Sequence, residues 1–185
     1  KIYRQHRADL EARAGCRLRL VAVAARAITA PREGLTLADW PLTADPDRVV
    51  ANPDVALVIE LIGGLEPART YVLRALAAGK HVVTANKALL AVHGPGLFDE
   101  ARRRGVLLGF AAAVAGGVPI IGALRDGLAA NRILSLYGIV NGTSNFILTK
   151  MTDEGRDFGE VLREAQAAGY AEADPTFDIE GIASA

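Results

Sequence analysis

Four carboxylates crowd one short stretch of this chain. Residues 169–181 read GYAEADPTFDIEG and place Glu172, Asp174, Asp178 and Glu180 within nine residues, interrupted by Pro175. Three chemistries suit such a stretch. Carboxylates bind hard cations, but Asp174, Asp178 and Glu180 lack the spacing of a calcium loop. A charge run is also commonly a solvated loop. The third role is to receive an ammonium group and hydroxyls through charge-assisted bonds. Glu172 and Asp178 are the candidates for that role. Asp174 directly precedes Pro175 and suits the turn instead.

A second stretch, residues 79–87, reads GKHVVTANK. It runs an apolar strand through Thr84 and Asn86 into Lys87. A lysine there donates hydrogen bonds to a carbonyl, a carboxylate or a ribose hydroxyl. The plain alternative is a surface lysine opening a helix. Arg26 follows another apolar run, residues 18–25 (LRLVAVAA). A basic residue ending the second strand of a nucleotide fold can receive a 2′-phosphate, which favours NADP over NAD. Its alternative is a solvated loop arginine. Gly63-Gly64 and Gly116-Gly117 read as tight turns, or as close backbone approaches to a cofactor or ion. No G-x-G-x-x-G occurs in the chain. His6, His81 and His93 have no ligand spacing. His81 reads as a packed strand residue and Trp40 as loop packing.

Regular elements must position these residues. Residues 1–14 read as a helix closed by Gly15. Strands are expected over 18–25, 55–61, 81–85 and 106–110. Residues 26–44, with Pro31, Gly34 and Pro41, read mostly as loop. Asp45-Pro46 opens a short helix that Asn52-Pro53 ends. Pro67 opens a clearer one: Ala68, Tyr71, Val72, Ala75 and Leu76 share one face of a 3.6-residue period, and Gly79 closes it. Another helix is expected from about residue 97 to 104, stopped by Gly105. Strands alternating with helices at this spacing imply βαβ units and a parallel sheet, whose ligands bind beyond the strands' carboxyl ends. That rule points to residues 61–64 and 84–87.

The character changes after Phe110. A helix carrying Pro119, Ile120, Ile121, Leu124 and Leu128 is expected, then a longer strand over 132–140, then the turn pair Asn141-Gly142. Residues 144–151 read as helical. Asp157 and Glu160 open a helix with Val161, Leu162, Ala165 and Ala168 on its apolar face. The expected fold is α/β, with residues 1–112 a Rossmann-like domain of nucleotide-binding type and residues 113–185 a separate mixed α+β domain.

Composition narrows the function classes. The chain has 185 residues, with 21 basic and 21 acidic side chains. That balance offers no basic excess for nucleic acid. No apolar run reaches the ~20 residues that span a bilayer, and no secretory signal is visible. Cys16 is the only cysteine, which suits a reducing cytoplasm. Lys1 is not an initiator methionine, so the chain is expected to lie inside a longer protein.

Five ordered motifs carry a resemblance: VIELIGG (58–64), GKHVVTANKALLA (79–91), VAGGVPII (114–121), NGTSNFILTKM (141–151) and AGYAEADPTFDIEGI (168–182). Together they resemble the homoserine dehydrogenase family, over about residues 21–185. The resemblance implies NAD(P)-dependent interconversion of aspartate 4-semialdehyde and homoserine in threonine and methionine biosynthesis, by a cytoplasmic homodimer. It implies that Ile62, Gly63, Thr84, Ala85 and Lys87 line the nicotinamide end of the cofactor site, with Lys87 at the reaction centre. Arg26 matches the 2′-phosphate arginine, so NADP is favoured over NAD. Gly169 matches a backbone position near the cofactor. Glu172 and Asp178 match carboxylates of the substrate pocket. The carbonyls of Val114, Gly116 and Val118 match a site for a monovalent cation, sodium or potassium.

The chain also departs from the family pattern. Ala111 stands where a glutamate usually completes the cation site, and Ala183 where an aspartate touches substrate. The family's proton-donating lysine falls two residues past Ala185. The first strand and its glycine turn are expected before Lys1. Two rivals remain at this point: another reductase with a similar nucleotide domain, and a catalytically impaired or non-enzymatic relic of the same fold.

Overall fold

The computed structural model describes residues 2–29, 40–171 and 174–181. They form two compact units. One comprises Lys1–Glu60, Glu66–Val83 and Gly96–Gly109; the other comprises Leu61–Leu65, Thr84–Pro95 and Phe110–Ala185.

The first unit opens with helices α1 (Ile2–Gln5) and α2 (Arg7–Ala14). Gly15 closes α2 at φ 66°, a left-handed conformation that glycine adopts at little cost. The strand expected over 18–25 shrinks to β1 (Val23–Ala24). Its first residues are tied to the helices instead. The Leu18 N–H donates to Glu11 Oε1 at 2.8 Å, and Tyr3 Oη donates to the Leu18 carbonyl at 2.7 Å. Strand β2 (Leu42–Thr43) pairs in parallel with β1, inside a stretch expected to be loop. The rest of that expected loop, residues 30–39, lies outside the described residues. Asp45 Oδ1 accepts from the Asp47 N–H at 2.9 Å and so opens α3 (Asp47–Val50).

Strand β3 (Leu57–Glu60), helix α4 (Ala68–Ala77), strand β4 (His81–Thr84), helix α5 (Lys87–Arg104) and strand β5 (Leu108–Gly109) follow. The sheet order is β3-β4-β5. Strand β4 pairs in parallel with β5, Val82 opposite Leu108 and Val83 opposite Gly109. Of the expected α4 face, Ala68, Val72, Ala75 and Leu76 are buried. The His81 ring accepts the Leu107 N–H through Nδ1 at 3.0 Å, so it holds the β4–β5 edge in register.

Helix α5 corrects an expectation. It begins at Lys87, ten residues before the expected start, and runs through Gly94-Pro95-Gly96. Glycine and proline at those positions ordinarily interrupt a helix. Burial of Leu89, Leu97 and Ala101 along one face outweighs them. A proline inside a helix removes one hydrogen bond, and tertiary packing can carry that loss.

Lys80, directly before β4, is a buried cation. Its Nζ donates to the carbonyls of Asn52 and Val55, both at 2.6 Å. It therefore ties the segment after α3 to the end of α4. The Lys80→Met variant strands both carbonyls, and its unfolding free energy is expected to fall by about 2 kcal/mol. A lower urea midpoint at unchanged slope is the readout; an unchanged midpoint refutes the clamp.

Beyond Phe110 the regular elements of the second unit are helices and helical turns among its described residues. After a 3₁₀ turn (Ala111–Ala113), the long helix expected around Leu124 is a single short one, α6 (Ile120–Gly122), widening into a π-type turn (Ala123–Gly127). The strand expected over 132–140 has no ladder among the described residues. It runs exposed and carries Ile133, Leu134, Leu136, Tyr137, Ile139 and Val140. Its composition suits a strand, but no described segment pairs with it, and a strand exists only through a partner.

Helices α7 (Gly142–Glu154), α8 (Phe158–Ala167) and α9 (Thr176–Ile179) complete the unit. Asp157 caps α8 as expected, accepting from the Gly159 N–H at 2.8 Å. Ile147, Val161, Ala165 and Ala171 form the core, with Phe146, Met151 and Leu162 against it. Glu164 on α8 joins Lys150 and Arg156 across this pair of helices. Hydrogen bonds from Lys150 and Arg156 hold the Glu164 carboxyl below the usual range.

Candidate active site

Strand β4 delivers its last residue, Thr84, into a tight turn. The Thr84 side chain is fully buried, and its Oγ1 accepts the Asn86 N–H at 3.0 Å. Asn86 then works at both ends of its carboxamide. Oδ1 accepts the Leu89 N–H at 3.1 Å, which caps the first turn of α5. Nδ2 donates to the Gly64 carbonyl at 2.7 Å, which ties down the loop after β3. That loop turns through Gly63 and Gly64 at φ 79° and 68°, a region where a side chain would strain the backbone.

Leu61, Gly63, Ala85 and Asn86 line a cavity of about 140 Å³. It lies where the carboxyl ends of β3 and β4 give way to loops, the ligand side of an open parallel sheet. Gly63 is open to solvent, and Ala85 and Ile62 are exposed.

Lys87 is the first residue of α5, at the positive end of the helix dipole. A cation is disfavoured there by about 0.3–1 kcal/mol, so helix stability does not explain this lysine. Its Nζ lies 3.5 Å from Asp178 Oδ1. The lysine is half exposed, whereas the Asp178 side chain keeps 13% of its exposure.

Further donors surround that carboxylate. Asn141 Nδ2 donates to Asp178 Oδ1 at 3.1 Å. Thr143 Oγ1 lies 3.2 Å from Asp178 Oδ2 and 2.6 Å from the Tyr170 carbonyl. Ser144 Oγ donates to the Asp178 carbonyl at 3.1 Å. Asn141 is the N-cap of α7 and Thr143 lies in its first turn, so the negative charge also sits at a favourable helix end. Lys87 and Asp178 stand 91 positions apart in sequence and meet within one unit. The NGTSN run was legible as a turn and a helix, but Asn141, Thr143 and Asn86 were not assigned contacts. An asparagine three residues before a helical N–H is the signal that could have found both caps.

The remaining candidates are placed as follows. Glu172 lies outside the described residues. Asp174 serves its turn: Oδ1 accepts the Thr176 hydroxyl at 2.6 Å and the Thr176 N–H at 3.2 Å, which lowers its pKa. Gly169 takes φ 77° after α8, and its N–H donates to the Gln166 carbonyl. Arg26 is exposed two residues past β1, in the first unit. The 114–118 turn uses Ala115, Gly116 and Gly117 at positive φ. The Gly116 carbonyl accepts the Val118 N–H at 2.6 Å and the Val118 carbonyl the Ile120 N–H at 2.9 Å. Two of the three carbonyls proposed for a cation thus already hold the turn. Among the described residues, no three His, Cys, Asp or Glu side chains group as metal ligands.

Family comparison agrees with this geometry. The NAD-binding domain of homoserine dehydrogenases matches residues 2–111, and the homoserine dehydrogenase domain matches residues 119–185. Parallel strands, helical crossovers and these matches define an α/β fold with an NAD-binding domain. The chain belongs to the homoserine dehydrogenase family. It is 54% identical over 177 residues to a homoserine dehydrogenase of Pseudomonas aeruginosa, covering 96% of this chain and 40% of that relative. The crystal structure of a homoserine dehydrogenase from Thiobacillus denitrificans superposes with a TM-score of 0.86 at 54% identity, covering 99% of this chain and 42% of that one. A hyperthermophilic archaeal homoserine dehydrogenase in complex with NADPH matches with a TM-score of 0.67 at 33% identity, over 76% of this chain and 43% of that one. The chain thus spans about two fifths of its relatives' length.

Proposed function

We propose that the protein containing this chain is an NAD(P)-dependent homoserine dehydrogenase, interconverting L-homoserine and L-aspartate 4-semialdehyde. The observation that carries this reading is the contact between Lys87 and Asp178 beside the cavity of the β4–α5 turn. Asp178 receives the substrate ammonium, with Glu172 as a second carboxylate. That fixes the amino acid and presents its terminal oxygen to Lys87. The Lys87 ammonium stabilises negative charge on that oxygen and can pass it a proton. Ile62, Gly63, Ala85 and Gly169 form the ring-facing wall, and the buried Thr84 shapes the turn from inside. A bound nicotinamide supplies the hydride chemistry. The cation has no part in this reaction scheme.

The finer assignments rest on particular features. Cytoplasmic location is supported by the single cysteine, which cannot pair within the chain. Among the described residues, no helix is long and apolar enough to cross a membrane. A homodimer is supported by the exposed apolar segment 132–140. A role in threonine and methionine biosynthesis follows from the reaction. The division into a nucleotide domain (1–112) and a substrate domain (113–185) belongs to the same reading.

NADP is the favoured cofactor, on the position of Arg26. The Arg26→Ala variant is expected to raise KM for NADP about tenfold, through loss of a charge-assisted contact, and to leave KM for NAD unchanged. Equal effects on both cofactors would refute the assignment. The reading as a whole is tested with the full-length protein, L-homoserine and NADP, by following reduced cofactor. No homoserine-dependent reduction with either cofactor overturns it.

A further inference from the structure

A carboxamide can accept at one end and donate at the other, and its neighbours decide which end is which. Asn141 sits in extended backbone at the start of α7. Its Oδ1 accepts the Ser144 N–H at 2.8 Å, which caps the helix and fixes the side chain. Nδ2 is thereby aimed at Asp178 Oδ1, 3.1 Å away. The other donors are less constant. The Thr143 hydroxyl carries one proton and lies closer to the Tyr170 carbonyl. Lys87 is half exposed at 3.5 Å.

We propose that Asn141 is a positioning residue for the Asp178 carboxylate. Its capped carboxamide turns Oδ1 toward Lys87 Nζ and holds the carboxylate in the orientation that receives the substrate ammonium. This rests on the reading of Lys87 and Asp178 given above. It ties the start of α7 to substrate binding through one side chain. The cap and the positioning bond use different atoms, so they can be separated by substitution.

The Asn141→Ser variant keeps a good cap but loses the donor. In the full-length protein it is expected to raise KM for L-homoserine about tenfold, with kcat within about threefold and both cofactor KM and Tm held. Asn141→Asp also caps but sets a second negative charge against Asp178, and is expected to raise KM about a hundredfold. Two results overturn the proposal: a homoserine KM in Asn141→Ser within about twofold of the parent, or a KM rise that follows a fall in Tm. Should the parent protein not oxidise homoserine, the enzymatic reading falls by itself. The positioning role is then read from the Asp178 side-chain torsion in a crystal structure of Asn141→Ser. A rotated carboxylate supports it, and a retained one overturns it.

Discussion

Replacing Lys87 by alanine is expected to lower kcat for homoserine oxidation by a factor on the order of 10³, with a much smaller change in KM. The argument is electrostatic. In aldehyde reduction, negative charge develops on the oxygen as hydride reaches the carbon, and an ammonium beside it is worth more in the transition state than in the ground state. In homoserine oxidation the same lysine, as the free amine, takes up the hydroxyl proton through the same transition state. Lys87 is a poor choice for stability, since it places a cation on the positive end of α5. Its neighbour Asn86 caps the helix without it, so Lys87→Ala should fold normally. Lys87→Arg separates charge from shape: arginine keeps the charge but does not release a proton at working pH. An alanine variant within about tenfold of the parental kcat would remove Lys87 from the reaction centre.

Asp178→Asn is expected to lower kcat/KM for L-homoserine by about a hundredfold, most of it in KM. The amide keeps the shape but loses the charge that faces an ammonium. It also places an NH₂ beside Asn141 Nδ2 and Lys87 Nζ, two donors that already converge on Asp178 Oδ1. Asp174→Asn is the control. Asp174 is exposed and its oxygen serves Thr176, so its kinetics should match the parent within about twofold. Equal losses at the two positions would mean that the acidic stretch acts as a whole and that Asp178 has no particular role.

Much of this was legible in the chain itself. Four of the five expected members of the α4 face are buried, and Asp157 caps α8 as expected. Periodicity and capping chemistry are local, so they can be read locally. Two kinds of feature could not. One is pairing: residues 18–25 and 132–140 have strand composition, but a ladder depends on a partner that composition does not name. The other is tertiary override. Gly94-Pro95-Gly96 reads as a break, and only the burial of Leu89 and Leu97 keeps α5 whole. At the candidate site, sequence singled out Lys87 and Asp178 separately. The amide groups that hold them, Asn86 and Asn141, were hidden because an asparagine before a helix looks like any other turn residue.

The uncovered stretch after α6 also governs how this chain behaves as a solute. Six large apolar side chains sit on nine consecutive residues whose amides and carbonyls join no ladder among the described residues. A ribbon of that kind is a template for indiscriminate strand addition. Expressed by itself, this chain is expected to be a poor colloid, its recovery in clear solution depending on what lies down along that edge.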